Sequence, residues 1–260
     1  MHFRIRLATE DCLLPINYQY PLSAAIYSVL KSADADYAAF LHNSGYGKGF
    51  KLFCFSDVQG SFRVEGDRLR LLNKQMEVEV SFHLPEAAQH FIKGLFQWQV
   101  LDLADKKSRV CCEVLSVEAL PNPFTGKKDN EIMSVQLDTA SACIAGIKNE
   151  KGNYNFLSPD DERFAENLLY NWREKIRAVF GEAEATESVL VLEVMQKPHT
   201  KSRLITIKAG TPEETKVRGF VNLSLKVMGE KRFVEMLWNV GAGLYNSFSG
   251  FLKVKKATPL

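Results

Sequence analysis

Apolar residues alternate with arginines at the start of the chain, Phe3, Ile5 and Leu7 against Arg4 and Arg6. That period of two predicts a strand over about 3–9 with one buried face. After Pro21 the spacing becomes helical, with Leu22, Ala25, Ile26, Val29 and Leu30 on one stripe. A second short helix is expected over Asp36–His42, running into the glycine-rich turn Gly45-Tyr-Gly-Lys-Gly49. Short strands are predicted at Lys51–Ser56, Phe62–Val64, Leu69–Leu72 and Met76–Phe82. Pro85 then opens a helix whose apolar side carries Ala88, Phe91, Ile92 and Leu95, and a strand at about 110–118 follows.

The polar, turn-rich run Pro121–Asn130 reads as a linker. Beyond it the order repeats. Strands at about 131–147 lead to a helix over Asp160–Phe180, where Phe164, Leu168, Leu169, Trp172 and Ile176 form one face. Strands at Ser188–Met195, Leu204–Ile207 and Arg218–Val227, a helix over Glu230–Val240 and a closing strand with Phe251, Leu252 and Val254 complete the chain. The expected fold is α+β: two tandem ferredoxin-like (RRM-like) domains, 1–120 and 131–260, joined by 121–130, with antiparallel sheets and helices on one face. The duplication rests on element order, since no repeat of residue identity accompanies it. The fold alone does not decide function, because this scaffold serves RNA recognition, enzymes and regulatory modules alike.

Composition narrows the field. The chain has 260 residues, 46% hydrophobic and 25% charged, which fits a globular protein with a full core. No apolar run approaches the roughly 20 residues that span a bilayer, and the N-terminus lacks the apolar core of a signal peptide, so a cytoplasmic protein without membrane attachment is expected. Five cysteines, Cys12, Cys54, Cys111, Cys112 and Cys143, show no CxxC spacing and predict neither a disulfide framework nor a zinc site. The five histidines are scattered, no carboxylate group has two-metal spacing, and no metal or cofactor is expected. The net charge of +2 is small, but Lys197, His199, Lys201, Arg203, Lys208, Lys216 and Arg218 concentrate basic residues in one stretch.

The segment Gly241-Ala-Gly-Leu-Tyr-Asn-Ser-Phe-Ser-Gly250 is glycine-rich and lies between a helix and a strand. Phosphate-cradling loops run the other way, from strand into helix, so a dinucleotide or P-loop reading is poor. What the glycines supply is positive φ and close backbone approach, to a ligand or within a tight helix-capping turn.

Four N-terminal stretches carry a family resemblance: Leu14-Pro-Ile-Asn-Tyr-Gln-Tyr-Pro-Leu22, Ala25-Ile-Tyr27, Phe40-Leu-His42, and Phe50-Lys-Leu-Phe53 with Phe55-Ser56. With the glycine-rich loop in its helix-to-strand position, they resemble the CRISPR-associated repeat-RNA endoribonucleases, the Cas family member numbered six. Gly241, Gly243, Asn246 and Ser247 fit that family's loop, whereas Ser249-Gly-Phe-Leu252 stands where a Gly-aromatic-Gly ending is usual. The resemblance implies metal-independent cleavage of CRISPR repeat RNA by attack of the 2′-hydroxyl on the adjacent phosphate, giving a 2′,3′-cyclic phosphate and a 5′-hydroxyl. It implies Tyr27 as base or 2′-hydroxyl orienter, His42 as acid, and a lysine on the phosphoryl oxygens. Lys51, directly before Leu52-Phe53, matches that lysine best, and Lys48 in the glycine turn is the alternative. RNA contacts are expected from Lys48, Lys201, Arg203, Lys208, Lys216, Arg218, Gly241, Gly243, Asn246 and Ser247. The implied partners are repeat RNA and an effector complex, with monomer and homodimer both open. A slow RNA-binding member of the family, and a ferredoxin-like ligand- or protein-binding module, are the competing readings.

Overall fold

The computed structural model describes residues 1–259. The first half runs β1 (His2–Ala8), β2 (Leu13–Pro15), α1 (Gln19–Ala33), α2 (Ala35–Asn43), β3 (Phe53–Phe55), β4 (Phe62–Glu65), β5 (Arg68–Leu71), β6 (Gln75–Phe82), α3 (Pro85–Trp98), β7 (Val100–Ala104) and β8 (Arg109–Leu120). The second runs β9 (Ile132–Thr139), β10 (Gly146–Lys148), β11 (Tyr154–Phe156), α4 (Arg163–Phe180), α5 (Glu182–Glu187), β12 (Val191–Ile207), β13 (Thr215–Glu230), α6 (Lys231–Val240) and β14 (Leu252–Pro259), with a 3-10 turn at Asn246–Phe248.

Both halves build the same sheet. The first has the antiparallel order β3-β6-β1-β8-β7, and the second β12-β13-β9-β14. With edge strand β7 set aside, each follows the second-third-first-fourth order of a ferredoxin-like βαββαβ unit. Along β1 the alternation works as expected: Ile5 and Leu7 are fully buried in the first core, which α1 and α3 close. Gly94 lets those helices touch, since a Cβ there would lie 2.0 Å from the Val29 carbonyl oxygen. On α4 the stripe Phe164, Leu168, Trp172 and Ile176 is buried in the second core, and the Trp172 indole donates to the Phe233 carbonyl at 3.0 Å.

Several elements differ from expectation. The strands at 62–65 and 68–71 leave the main sheet and join β2 in a separate sheet, β2-β5-β4. Their charges explain it: Arg63 and Arg70 both pair with Glu65, and the strands are only partly buried. The segment 131–147 breaks into β9 and β10, because Ser141–Ala145 is buried without alternation and makes only isolated bridges, Cys143 to Phe220 and Ile144 to Gly243. The two strands expected at 188–195 and 204–207 are one strand, β12, interrupted by a bulge between Gln196 and Lys201. There the Thr200 hydroxyl donates to the Asn222 carbonyl, and the Asn222 amide donates to the His199 carbonyl, so the extra residues are satisfied locally.

The two halves are locked together. His2 of β1 stacks on Trp238 of α6 at 3.5 Å between ring centroids, and the Ser81 hydroxyl donates to the Asn239 carbonyl at 2.8 Å. Glu79, almost fully buried, pairs with Arg4 at 3.1 Å and with Lys253 of β14 at 2.9 Å. The β12–β13 hairpin reaches back over the first half, where Ile205, Val217 and Val221 complete its core.

Candidate active site

His42 sits exposed in the last turn of α2, whose start is fixed by Asp34 accepting from the Tyr37 amide at 2.8 Å. Tyr27, on α1, is half-buried, and its ring meets His42 edge-on at 5.3 Å and Phe53 at 5.6 Å. Burial raises the phenol further above its ordinary value, so Tyr27 keeps its proton at neutral pH. Lys51 lies in the turn before β3, not on the strand itself, because Leu52 takes a left-handed conformation, φ 54°. Its ammonium donates to the His42 carbonyl at 2.8 Å, and burial lowers its pKa. Tyr27, His42 and Lys51 thus come together from α1, α2 and the turn before β3.

Lys48 is placed differently. Its ammonium pairs with Glu174 at 2.7 Å and donates to the Tyr170 hydroxyl at 2.9 Å, and these bonds raise its pKa. A lysine already facing a carboxylate offers less charge to a phosphate than Lys51, which has no acidic partner among the described residues.

Lys51 also lines a cleft of about 620 Å³ between the halves. One wall is the Lys48–Leu52 segment, and the opposite wall is the outer part of the glycine-rich loop, including Gly243, Asn246 and Ser247. Gly241, Gly243 and Gly250 adopt φ of 79°, 79° and 78° and pack against protein backbone. A Cβ on Gly243 would meet the Ile144 carbonyl oxygen at 2.2 Å, and one on Gly250 the Ala242 oxygen at 2.1 Å. Their conformational freedom therefore serves the loop's own folding, while the partly exposed Leu244–Ser247 stretch faces the cleft. Asn246 donates to the Ala242 carbonyl at 3.2 Å, and the buried Ser249 hydroxyl donates to Leu244 at 2.7 Å, which secures the loop's unusual distal end.

The basic residues of the hairpin do not form one strip. Arg203 is ion-paired with Asp57 of the first half, Lys208 with Glu213, and Lys216 lies 3.8 Å from Glu214. Lys201 and Arg218 are exposed and without an ion pair among the described residues. Strand alternation puts Lys201 and Arg203 on one face and Lys216 and Arg218 on the other. Arg4 and Arg6 are likewise engaged, by Glu77, Glu79 and Glu118.

One residue of the cleft escaped the sequence reading. Lys175, on α4, is 1% exposed, and its ammonium donates to the carbonyls of Gly241 at 2.8 Å and Gly243 at 3.2 Å. Its signal was positional: a lysine three residues after Trp172 and one before Ile176 lies within the apolar stripe of α4.

The comparisons with known proteins cover both halves. Residues 13–112 match the family model of the Cas6 N-terminal region (Cas6_I-A), and residues 121–253 match that of the Cas6 C-terminal region. A protein of Methanocaldococcus jannaschii named CRISPR-associated endoribonuclease Cas6 1 is 31% identical over 70% of this chain and 68% of its own length. The CRISPR-associated endoribonuclease Cas6 of Pyrococcus furiosus is 26% identical over 98% of this chain and 90% of its own. A solved CRISPR associated protein Cas6 superposes with a TM-score of 0.70 at 25% identity, covering 98% of this chain and 99% of the other. The chain belongs to the Cas6 family of CRISPR-associated proteins.

Proposed function

We propose that this chain cuts CRISPR repeat RNA to make guide RNAs, as the names of its relatives imply, and that it does so without a metal ion. The observation that carries the reading is the convergence of Tyr27, His42 and Lys51, with the Lys51 ammonium on the His42 carbonyl and the Tyr27 ring edge-on to the imidazole. Tyr27 orients the 2′-hydroxyl of the nucleotide before the break. As the 2′-oxygen bonds to phosphorus and gives its proton to a solvent water, the bond from phosphorus to the 5′-oxygen breaks. His42, as imidazolium, protonates that leaving oxygen. Lys51 stabilises the charge that builds on the non-bridging oxygens. The products are a 2′,3′-cyclic phosphate and a 5′-hydroxyl.

Residues 1–120 supply the catalytic groups in this reading, 121–130 link, and 131–260 supply the loop wall and part of the RNA track. Lys201 and Arg218 are the hairpin cations best disposed to meet phosphates, being exposed and unpaired with carboxylates among the described residues. The protein acts in the cytoplasm and passes its product to an effector complex. No helix is long and apolar enough to cross a membrane among the described residues. Replacing His42 by Ala tests the acid role: single-turnover cleavage is expected to fall by about 10²- to 10⁴-fold. A variant cutting at the wild-type rate rules His42 out.

A second reading, a slow member that chiefly binds repeat RNA, draws on Tyr27, whose raised pKa disqualifies it as a proton acceptor near pH 7. RNA held intact through many hours with the wild-type protein decides for that reading.

A further inference from the structure

We infer that Lys175 is a positioning residue of the cleavage cleft, one cation that sets the glycine-rich loop of the second half against the Lys48–Lys51 turn of the first. The inference rests on the reading of the cleft as the RNA site.

Three contacts converge on it. The ammonium donates to the carbonyls of Gly241 and Gly243, two of the positions where the loop turns through positive φ. It lies 5.9 Å from the centroid of the Phe50 ring, whose neighbour is Lys51. The same stretch of α4 braces the opposite wall: Glu174 holds Lys48, and Ala178 fills the space beside Gly47, where a Cβ would come within 2.6 Å. One helix therefore carries both walls of the cleft, and Lys175 is where they meet.

The chemistry points to positioning and not to fold stability. Lys175 is buried with no ion-pairing carboxylate among the described residues, an arrangement that costs stability. Burial pulls its pKa down to about 7. The thiols of Cys54 and Cys143 are the other titratable groups facing it, and burial pushes both up to about 12, so they carry no charge to offset it. Glu174, its neighbour on the helix, is turned to Lys48 and Arg177. A side chain kept only for packing would be better as methionine.

The test compares wild-type protein with Lys175→Met and Lys175→Gln by thermal melting, hydrogen exchange and single-turnover cleavage of RNA transcribed from the CRISPR repeat of the source genome. Lys175→Met is expected to melt no lower than wild type, yet to exchange faster at amides of 241–250 and to cleave saturating RNA about ten- to a hundred-fold more slowly. Lys175→Gln, which keeps one donor group, falls between. Wild-type exchange and wild-type cleavage in Lys175→Met overturn the inference, and so does a Lys175→Met protein that fails to fold. If the wild-type protein itself neither binds nor cuts the RNA, the proposed function fails, while the exchange arm still decides whether Lys175 sets the loop.

Discussion

Lys48 and Lys51 stand three residues apart and differ in what they face. Lys48 has Glu174, while Lys51 has the His42 carbonyl. Lys51→Ala is therefore expected to lower the single-turnover rate by about 10²-fold, the scale of losing one group that stabilises transition-state charge. Lys48→Ala is expected to act mainly on binding, within about tenfold, and the two rates measured at saturating RNA separate the roles. Equal losses in the chemical step contradict the assignment. The three candidates could be singled out because short stretches that resemble the family carry them: Tyr27 follows Ala25-Ile26, His42 follows Phe40-Leu41, and Lys51 precedes Leu52-Phe53. Lys175 could not be, since a lysine in an apolar stripe looks like a solvated interruption until the carbonyls it serves are known. Buried histidines add a pH effect. Burial pushes His2 to about 2 and His83 to about 4, so both are neutral in the fold, whereas the unfolded chain takes up protons below about 6.5. Their contribution is intact above pH 6.5 and is lost as pH falls towards 4. Chemical denaturation across that window is expected to show the decline, with a shallower slope in His83→Gln.

At the scale of elements, the glycine-rich loop makes the sharpest claim. Gly243 combines φ 79° with a carbonyl oxygen 2.2 Å from where a Cβ would stand. Gly243→Ala is expected to cost about 1–3 kcal/mol and to slow cleavage, because the Leu244–Ser247 stretch moves with it. A variant of unchanged stability and rate would show that the loop tolerates a side chain there. Five of the six helices among the described residues were readable, since period and proline entry act locally, as at Pro85, whereas the six residues of α5 are too few to show a period. The strands were less so. Val100–Ala104 escaped because its run is short and directly follows a helix ending at Gln99 in a left-handed turn. The continuity of Val191–Ile207 escaped because Pro198 and His199 look like a break, whereas Thr200 and Asn222 absorb them as a bulge.

On the scale of the whole molecule, the cleft exists because the halves are fixed to each other by buried contacts: His2 on Trp238, Ser81 on Asn239, and Glu79 between Arg4 and Lys253. The order of elements announced the two sheets, but these cross-contacts join residues far apart in the chain and leave no local pattern. Arg203 shows the consequence, since it looks like an RNA contact in sequence and is paired with Asp57 in space. RNA affinity is expected to fall linearly on a log-log plot against salt, with Lys201→Ala and Arg218→Ala each reducing the slope by about 0.7 for every phosphate left without its cation. The most direct test of the account is cleavage of the cognate repeat RNA in excess chelator. Wild-type protein is expected to give a 2′,3′-cyclic phosphate and a 5′-hydroxyl, while His42→Ala binds the RNA and cuts it about 10²- to 10⁴-fold more slowly. Cleavage that stops when metal is removed, or that keeps its wild-type rate without His42, contradicts it.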